Sequence, residues 1–174
     1  MNRRYILCLS AVAALGLALL TFAWPATAQD IKSSIVGVWK LTDHANKNPA
    51  TGAITHPYGQ HPQGYHIFSK GGRMMFMMIG ENRKPPAGPS PTDAERAALL
   101  QSVVSYIGTY RVEGTKVLIR IEANATPTDA SDRTYTAEIS GNKLTLTAEP
   151  FRAAAARDAA GQQQITIRTF DRAE

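Results

Sequence analysis

Cysteine is almost missing from this chain. Cys8 is the only one, and it lies in a leader-like start, so the rest of the protein can form no disulfide and has no thiolate nucleophile. Clustered charge is missing as well. Basic and acidic residues are interspersed, with no basic block interleaved with aromatics of the kind a nucleic-acid groove needs. There is no Gly-x-Ser-x-Gly, no phosphate-cradling glycine loop and no paired-carboxylate motif, so no catalytic constellation stands out. No internal repeat is present, which excludes solenoids and propellers.

The first 28 residues form a recognisable leader. Arg3 and Arg4 make a basic start, residues 6–22 are nearly all apolar, and Ala26-Thr27-Ala28 has the small-x-small form of a cleavage site. The alternative is a membrane anchor, for which the apolar run is at the short limit. The expectation is a signal peptide over 1–28, cleavage before Gln29, and a periplasmic or secreted protein over 29–174. Removing residues 1–28 leaves 146 residues with 17 basic and 14 acidic side chains, a net of +3. That is one domain of ordinary size, with no stable membrane insertion once the leader is gone.

The mature chain alternates between short strand-like runs and turns. Strands are predicted over 35–42, 64–70, 73–79, 104–112, 115–122, 133–139, 143–148 and 163–171. A Pro/Gly/His-rich loop fills 44–63, and Gly71-Gly72 reads as a two-residue hairpin turn. One helix is expected after Ser90, with Ser90 as N-cap, Pro91 at the first helical position and Asp93 in the capping box. With the stretch from Lys84, it is placed to cover the mouth of a barrel. The alanine-rich segment 152–160 is expected to add one or two helical turns. Eight antiparallel strands closing up-and-down give an all-β barrel wide enough for one small ligand.

Several segments together resemble the bacterial lipocalin-like domain family. They are Gly37-Val38-Trp39-Lys40-Leu41, then Pro57-Tyr58-Gly59 with Pro62-Gln63-Gly64-Tyr65, then Gly72-Arg73-Met74. Tyr106-Ile107-Gly108-Thr109-Tyr110 with Val112 and Gly114 follows, and Gly141, Leu144, Leu146 and Phe170-x-Arg172 complete the set. The resemblance implies an eight-stranded calyx and leaves the function open. Two positions depart from the family pattern: a histidine common in the fifth strand is Arg120 here, and the usual terminal tryptophan is Phe170. The resemblance also implies that an arginine of the last strand, Arg172 or failing it Arg168, packs over Trp39, the expected plug of the barrel floor.

The candidate ligand-binding residues are Tyr65, Met75, Met77, Tyr106, Tyr110 and Arg120. Alternation puts Met74, Phe76 and Met78 on one face of their strand and Met75, Met77 and Ile79 on the other, both apolar; either set suits an adaptable cavity wall. A thioether copper site is disfavoured because adjacent methionines diverge on a strand. The tyrosines at 58, 65, 106, 110 and 135 are candidates for cavity polarity. Arg120 shares a face with Leu118 and Glu122. Facing inward it would need an anionic partner, whereas Val117, Ile119 and Ile121 look more like the core face, and Arg73 poses the same choice. His56, His61 and His66 recur at five-residue intervals and match no closed metal motif.

The resulting expectation is an exported protein that binds a small, largely apolar molecule, without metal, cofactor or nucleic acid. One alternative is an isomerase or cyclase of hydrophobic metabolites using His66, Tyr65 or Arg120 as its polar group. Another is a metal- or protein-binding role for the loop from His56 to His66.

Overall fold

The computed structural model describes residues 28–125, 132–149 and 163–174. The expected helical segment 152–160 and residues 1–27 of the signal peptide expected over 1–28 lie outside the described residues. The elements in chain order are α1 (Ala28–Ser34), β1 (Gly37–Lys47), β2 (Ile54–Thr55), β3 (Gln63–Phe68), β4 (Arg73–Ile79), α2 (Asp93–Gln101), β5 (Val103–Glu113), β6 (Lys116–Asn124), β7 (Arg133–Ser140), β8 (Lys143–Ala148) and β9 (Ile165–Arg172). All pairings are antiparallel. The sheet runs β2-β1-β3-β4-β5-β6-β7-β8-β9, and β1 also pairs with β9, so eight strands close into a barrel and β2 is an extra two-residue strand on the end of β1. Closure leaves no long free sheet edge, which removes the usual template for aggregation.

Strand alternation fills the interior. Trp39, Leu41, Phe68, Met74, Phe76, Met78, Tyr106, Val117, Ile119, Tyr135, Leu144, Leu146 and Phe170 are all buried in one cluster. Burying one such aliphatic or aromatic side chain stabilises the fold by about 1.5–3 kcal/mol. One end of the barrel is sealed by α1, whose Ile31 joins Ile35 in this cluster. There the Trp39 Nε1–H donates to the Ile35 carbonyl at 2.7 Å. Arg172 spans the same end: its guanidinium carbon lies 4.1 Å from the Trp39 ring centroid, and it donates to the Val36 carbonyl at 3.1 Å and to the Ser34 carbonyl. Only glycine fits at 37, where φ is +140° and a Cβ would come 2.8 Å from Arg172 Nη1.

Three local expectations are corrected. The predicted loop over 44–63 begins later, because β1 continues to Lys47 along β9. A β-bulge between Leu41 and Asp43 reverses the alternation, so His44 points inward after Trp39 and Leu41, with the Thr42 hydroxyl donating to the Thr169 carbonyl at 3.0 Å. The turn between β3 and β4 spans Ser69 to Gly72, closed by Ser69 N–H to the Arg73 carbonyl and Gly72 N–H to the Ser69 carbonyl. The N-cap of α2 is Thr92 rather than Ser90, with Glu95 completing the capping box. A threonine hydroxyl two residues downstream of Ser90 meets the N3 amide directly, which decides the start. No residue of α2 is buried. It leads into β5 at the end opposite α1, beside the 81–87 stretch, and a cavity of about 610 Å³ lies between them. Among the described residues, no helix is long and apolar enough to cross a membrane.

Candidate functional site

The end of the barrel opposite α1 carries the polar side chains of the interior. Four strands converge there. β1 supplies His44 past its bulge, β5 supplies Tyr106, β7 supplies Tyr135, and β9 supplies Arg168, opposite His44 in register. The Arg168 Nη1–H donates to the Tyr106 hydroxyl at 2.8 Å and to the Tyr135 hydroxyl at 3.1 Å, and Nε–H donates to His44 Nδ1 at 3.2 Å. Its guanidinium carbon lies 4.3 Å from the Phe76 ring centroid. Arg133, half-buried on β7, stands 5.0 Å from the Tyr106 ring centroid. No Asp or Glu among the described residues pairs with Arg168. A guanidinium stays protonated inside a protein, so a positive charge sits here against two tyrosine hydroxyls and an imidazole.

His66 lies one layer deeper on β3, fully buried. Its ring stacks on Phe68 at 4.1 Å and lies 5.2 Å from Phe76 and 5.8 Å from Phe170. Neither ring nitrogen has a hydrogen-bond partner. Burial, and then the nearby Arg168, hold His66 well below the ordinary histidine range, so it is neutral. The same two causes push His44 down to about 2. Because Nδ1 of His44 accepts from Arg168, its proton sits on Nε2. Burial raises Tyr106 against the pull of Arg168. It acts the same way on Tyr135, but there Arg168 and Arg133 outweigh it and the net shift is downward.

The structure brings some of the sequence candidates together and separates others. Tyr106 is at the centre of the polar cluster. Tyr110 lies nearer the sealed end, half-buried, its hydroxyl donating to the Ser69 carbonyl at 2.9 Å. Trp39 and Arg172 form the floor described above. Tyr65, Met75 and Met77 face outward, at 47%, 42% and 39% exposure. They are therefore corrected from cavity wall to outer surface, where Val38, Ile67, Met75, Ile107 and Ala123 stand in register across five neighbouring strands. The reason is phase: Phe76 shares its face with Met74 and Met78, and burying the ring fixes which methionines go inside.

Arg120 is likewise exposed, because Val117 and Ile119 take the inner face of β6. It lines an outer groove of about 540 Å³ with Arg111 and Thr134. Arg73 is also outside, paired with Glu122 at 2.5 Å. The three recurring histidines are parted: His66 is in the interior, His56 pairs with Asp43 at 3.1 Å, and His61 is exposed. Among the described residues, no group of three or more His, Cys, Asp or Glu is placed to hold a metal ion.

Arg168 and His44 are the residues that sequence reasoning placed elsewhere. Arg168 entered only as a substitute for Arg172 over Trp39. The signal was present in β9, where Arg168, Phe170 and Arg172 share one phase and Phe170 must be inside. His44 gave no such signal, because its inward turn depends on the bulge.

A closed antiparallel barrel of eight strands, sealed at one end, has the architecture of barrels that hold one small ligand. The sequence pattern of the lipocalin-like domain family matches residues 36–173, and the chain belongs to that family. No curated protein matches it. Among solved structures it is similar to a mutant of the fluorescent protein UnaG, at 18% identity over 82% of this chain and 98% of that one, with a TM-score of 0.36. It is also similar to wild-type UnaG, at 16% identity over 81% and 98% of the two chains, with a TM-score of 0.34. These likenesses concern the fold and bear on neither ligand nor chemistry.

Proposed function

We propose that this is an exported binding protein that holds one small, largely apolar molecule inside its barrel. The observation that carries the reading is His66. A buried polar atom with no partner costs about 1–3 kcal/mol, and Phe or Leu would fill the space among Phe68, Phe76 and Phe170 without that cost. A neutral imidazole there offers one donor and one acceptor to a molecule lying along the aromatic wall. Membership of a barrel family supports small-molecule binding, and the leader over 1–28 supports export. The enzyme alternative is weakened, since two of its three polar groups, Tyr65 and Arg120, stand on the outer surface while His66 is inside.

The test is binding of an uncharged, environment-sensitive dye such as N-phenyl-1-naphthylamine. The expected result is saturable binding with low-micromolar affinity at one site per chain, displaced by whatever apolar molecule native mass spectrometry finds co-purifying. Absence of any bound probe or co-purified molecule would refute the reading. N-terminal sequencing of the secreted product is expected to begin at Gln29; an uncleaved cytoplasmic product would remove the export claim.

A further inference from the structure

Exposed apolar side chains are ordinarily scattered singly over a protein surface. Here they are gathered. Of the seven large ones among the described residues, five stand on the outer face of three neighbouring strands: Tyr65 and Ile67 on β3, Met75 and Met77 on β4, and Ile107 on β5. Register makes them one patch. Ile67, Met75 and Ile107 form one row, and Tyr65 and Met77 form the next. The fold does not ask for them, because an outward position on an antiparallel sheet accepts a polar side chain without loss.

The border of the patch is cationic. Lys40 stands beside Tyr65 in register. Past Val38 and Ile107, towards the sealed end, a cleft of about 890 Å³ opens between α1, the β3–β4 turn and β5, lined by Lys32, Val36, Lys70, Tyr110 and Val112. Lys32, Lys40, Lys70 and Arg120 are exposed and hold no ion pair. The carboxylates nearby are already taken: Arg73 holds Glu122 at 2.5 Å, and Arg111 on the rim of the cleft holds Glu113 at 2.7 Å. The face is therefore apolar in its middle and positive around it.

We propose that this face docks the protein reversibly on the surface of an anionic lipid bilayer, the five apolar side chains entering the headgroup boundary and Lys32 and Lys70 taking lipid phosphate in the cleft. Apolar insertion and attraction of lysines to anionic headgroups are the two contributions that hold a protein on a membrane surface. Tyr65 suits the boundary, with a ring for the apolar side and a hydroxyl for the wet side. A second copy of the chain fits less well. With ~4.8 Å between strands and ~6.8 Å between same-face residues, five positions cover roughly 160 Å² of sheet, against the ~800 Å² that each partner of a stable dimer buries. Two such faces would also bring unpaired cations together. The barrel lies on the bilayer and does not span it, since Thr134, Thr136, Glu138 and Thr145 face outward on β7 and β8.

The experiment sediments the protein beginning at Gln29, which holds every strand of the barrel and lacks the apolar leader that would bind vesicles by itself. The vesicles are phosphatidylcholine alone, or phosphatidylcholine with an equal part of phosphatidylglycerol. The expected result is binding about tenfold or more tighter to the anionic vesicles, weakened severalfold between about 0.1 M and about 1 M salt as the screening length falls from ~10 Å to ~3 Å. Lys32→Gln with Lys70→Gln should remove most of that preference, and Met75→Gln with Met77→Gln should weaken binding to both vesicles severalfold. The chain after residue 28 has no cysteine, so a bimane label at Met77→Cys reads insertion directly. Its emission should shift to the blue on anionic vesicles, while a label at Glu138→Cys, on β7 three strands round the barrel from β4, should not move. That measurement stands even if a double variant does not fold. No sedimentation with either vesicle, equal sedimentation with both, or an equal response of the two labels would overturn the proposal. A dimer in analytical ultracentrifugation that Met75→Gln with Met77→Gln dissolves would give the face to a second copy and overturn it as well. None of these outcomes bears on dye binding inside the barrel.

Discussion

Lowering the pH should destabilise this protein well before its carboxylates titrate. The perturbation acts on two buried imidazoles, His44 and His66. Both are held below the ordinary histidine value of 6.5, first by burial and then by Arg168. Between the unfolded and folded values, the unfolded chain takes up protons that the folded chain refuses. Stability is therefore complete above about pH 6.5 and is lost as pH falls, provided both imidazoles stay neutral in the fold. From about pH 7 to about pH 5, each such group removes about 2 kcal/mol, so the pair removes about 4 kcal/mol. That is a large share of the 5–15 kcal/mol typical of a domain. Denaturant unfolding followed by Trp39, the only tryptophan after residue 28, measures it at each pH. His66→Phe should halve the loss, to about 2 kcal/mol, and raise stability near neutral pH by about 1 kcal/mol by removing two unpartnered nitrogens. A wild-type loss under about 1 kcal/mol would refute the neutral buried pair. An undiminished loss in His66→Phe would clear His66 in particular.

Other substitutions test the placement of individual side chains. Trp39→Ala should cost about 3–5 kcal/mol, since it empties the floor under α1; thermal or denaturant melts measure it, and a loss under about 1 kcal/mol would contradict burial. Met75→Lys with Met77→Lys should change stability by no more than about 0.5 kcal/mol each and leave dye binding intact. Unfolding of that variant would place those side chains inside. Deleting 163–174 should abolish the cooperative melt, because it removes one side of the β1–β9 seam, and a retained sharp transition would argue against closure.

Much of the architecture could be read from the alternation of apolar residues and from turn punctuation, because a strand with one polar face declares its orientation. β9 is the clear case: Phe170 fixes the phase, and Arg168 and Arg172 follow it inside. β4 declares nothing, being apolar on both faces, so alternation alone leaves open which of its methionines go inside. The deciding information lay in Phe76, the bulkiest side chain of that strand, and in the register set by the Ser69–Gly72 turn. His44 was unreadable for a different reason. One residue at a bulge reverses everything downstream of it, and a bulge leaves no mark in local composition. The site was hidden because its parts come from four strands distant in sequence, and only closure of the barrel makes them neighbours.

The seam between β1 and β9 also has a kinetic side. The bond from Thr42 to Thr169 joins positions 127 residues apart, and contacts that distant are slow to form because the intervening chain must first be gathered. Until β9 docks, β1 and β8 each present an unpaired row of amides and carbonyls, and the cationic cluster lacks Arg168. Folding and assembly of the site are therefore one event, completed at the seam. A chain held open there exposes two sticky edges for as long as it waits, and that interval is when a holding chaperone would have its target.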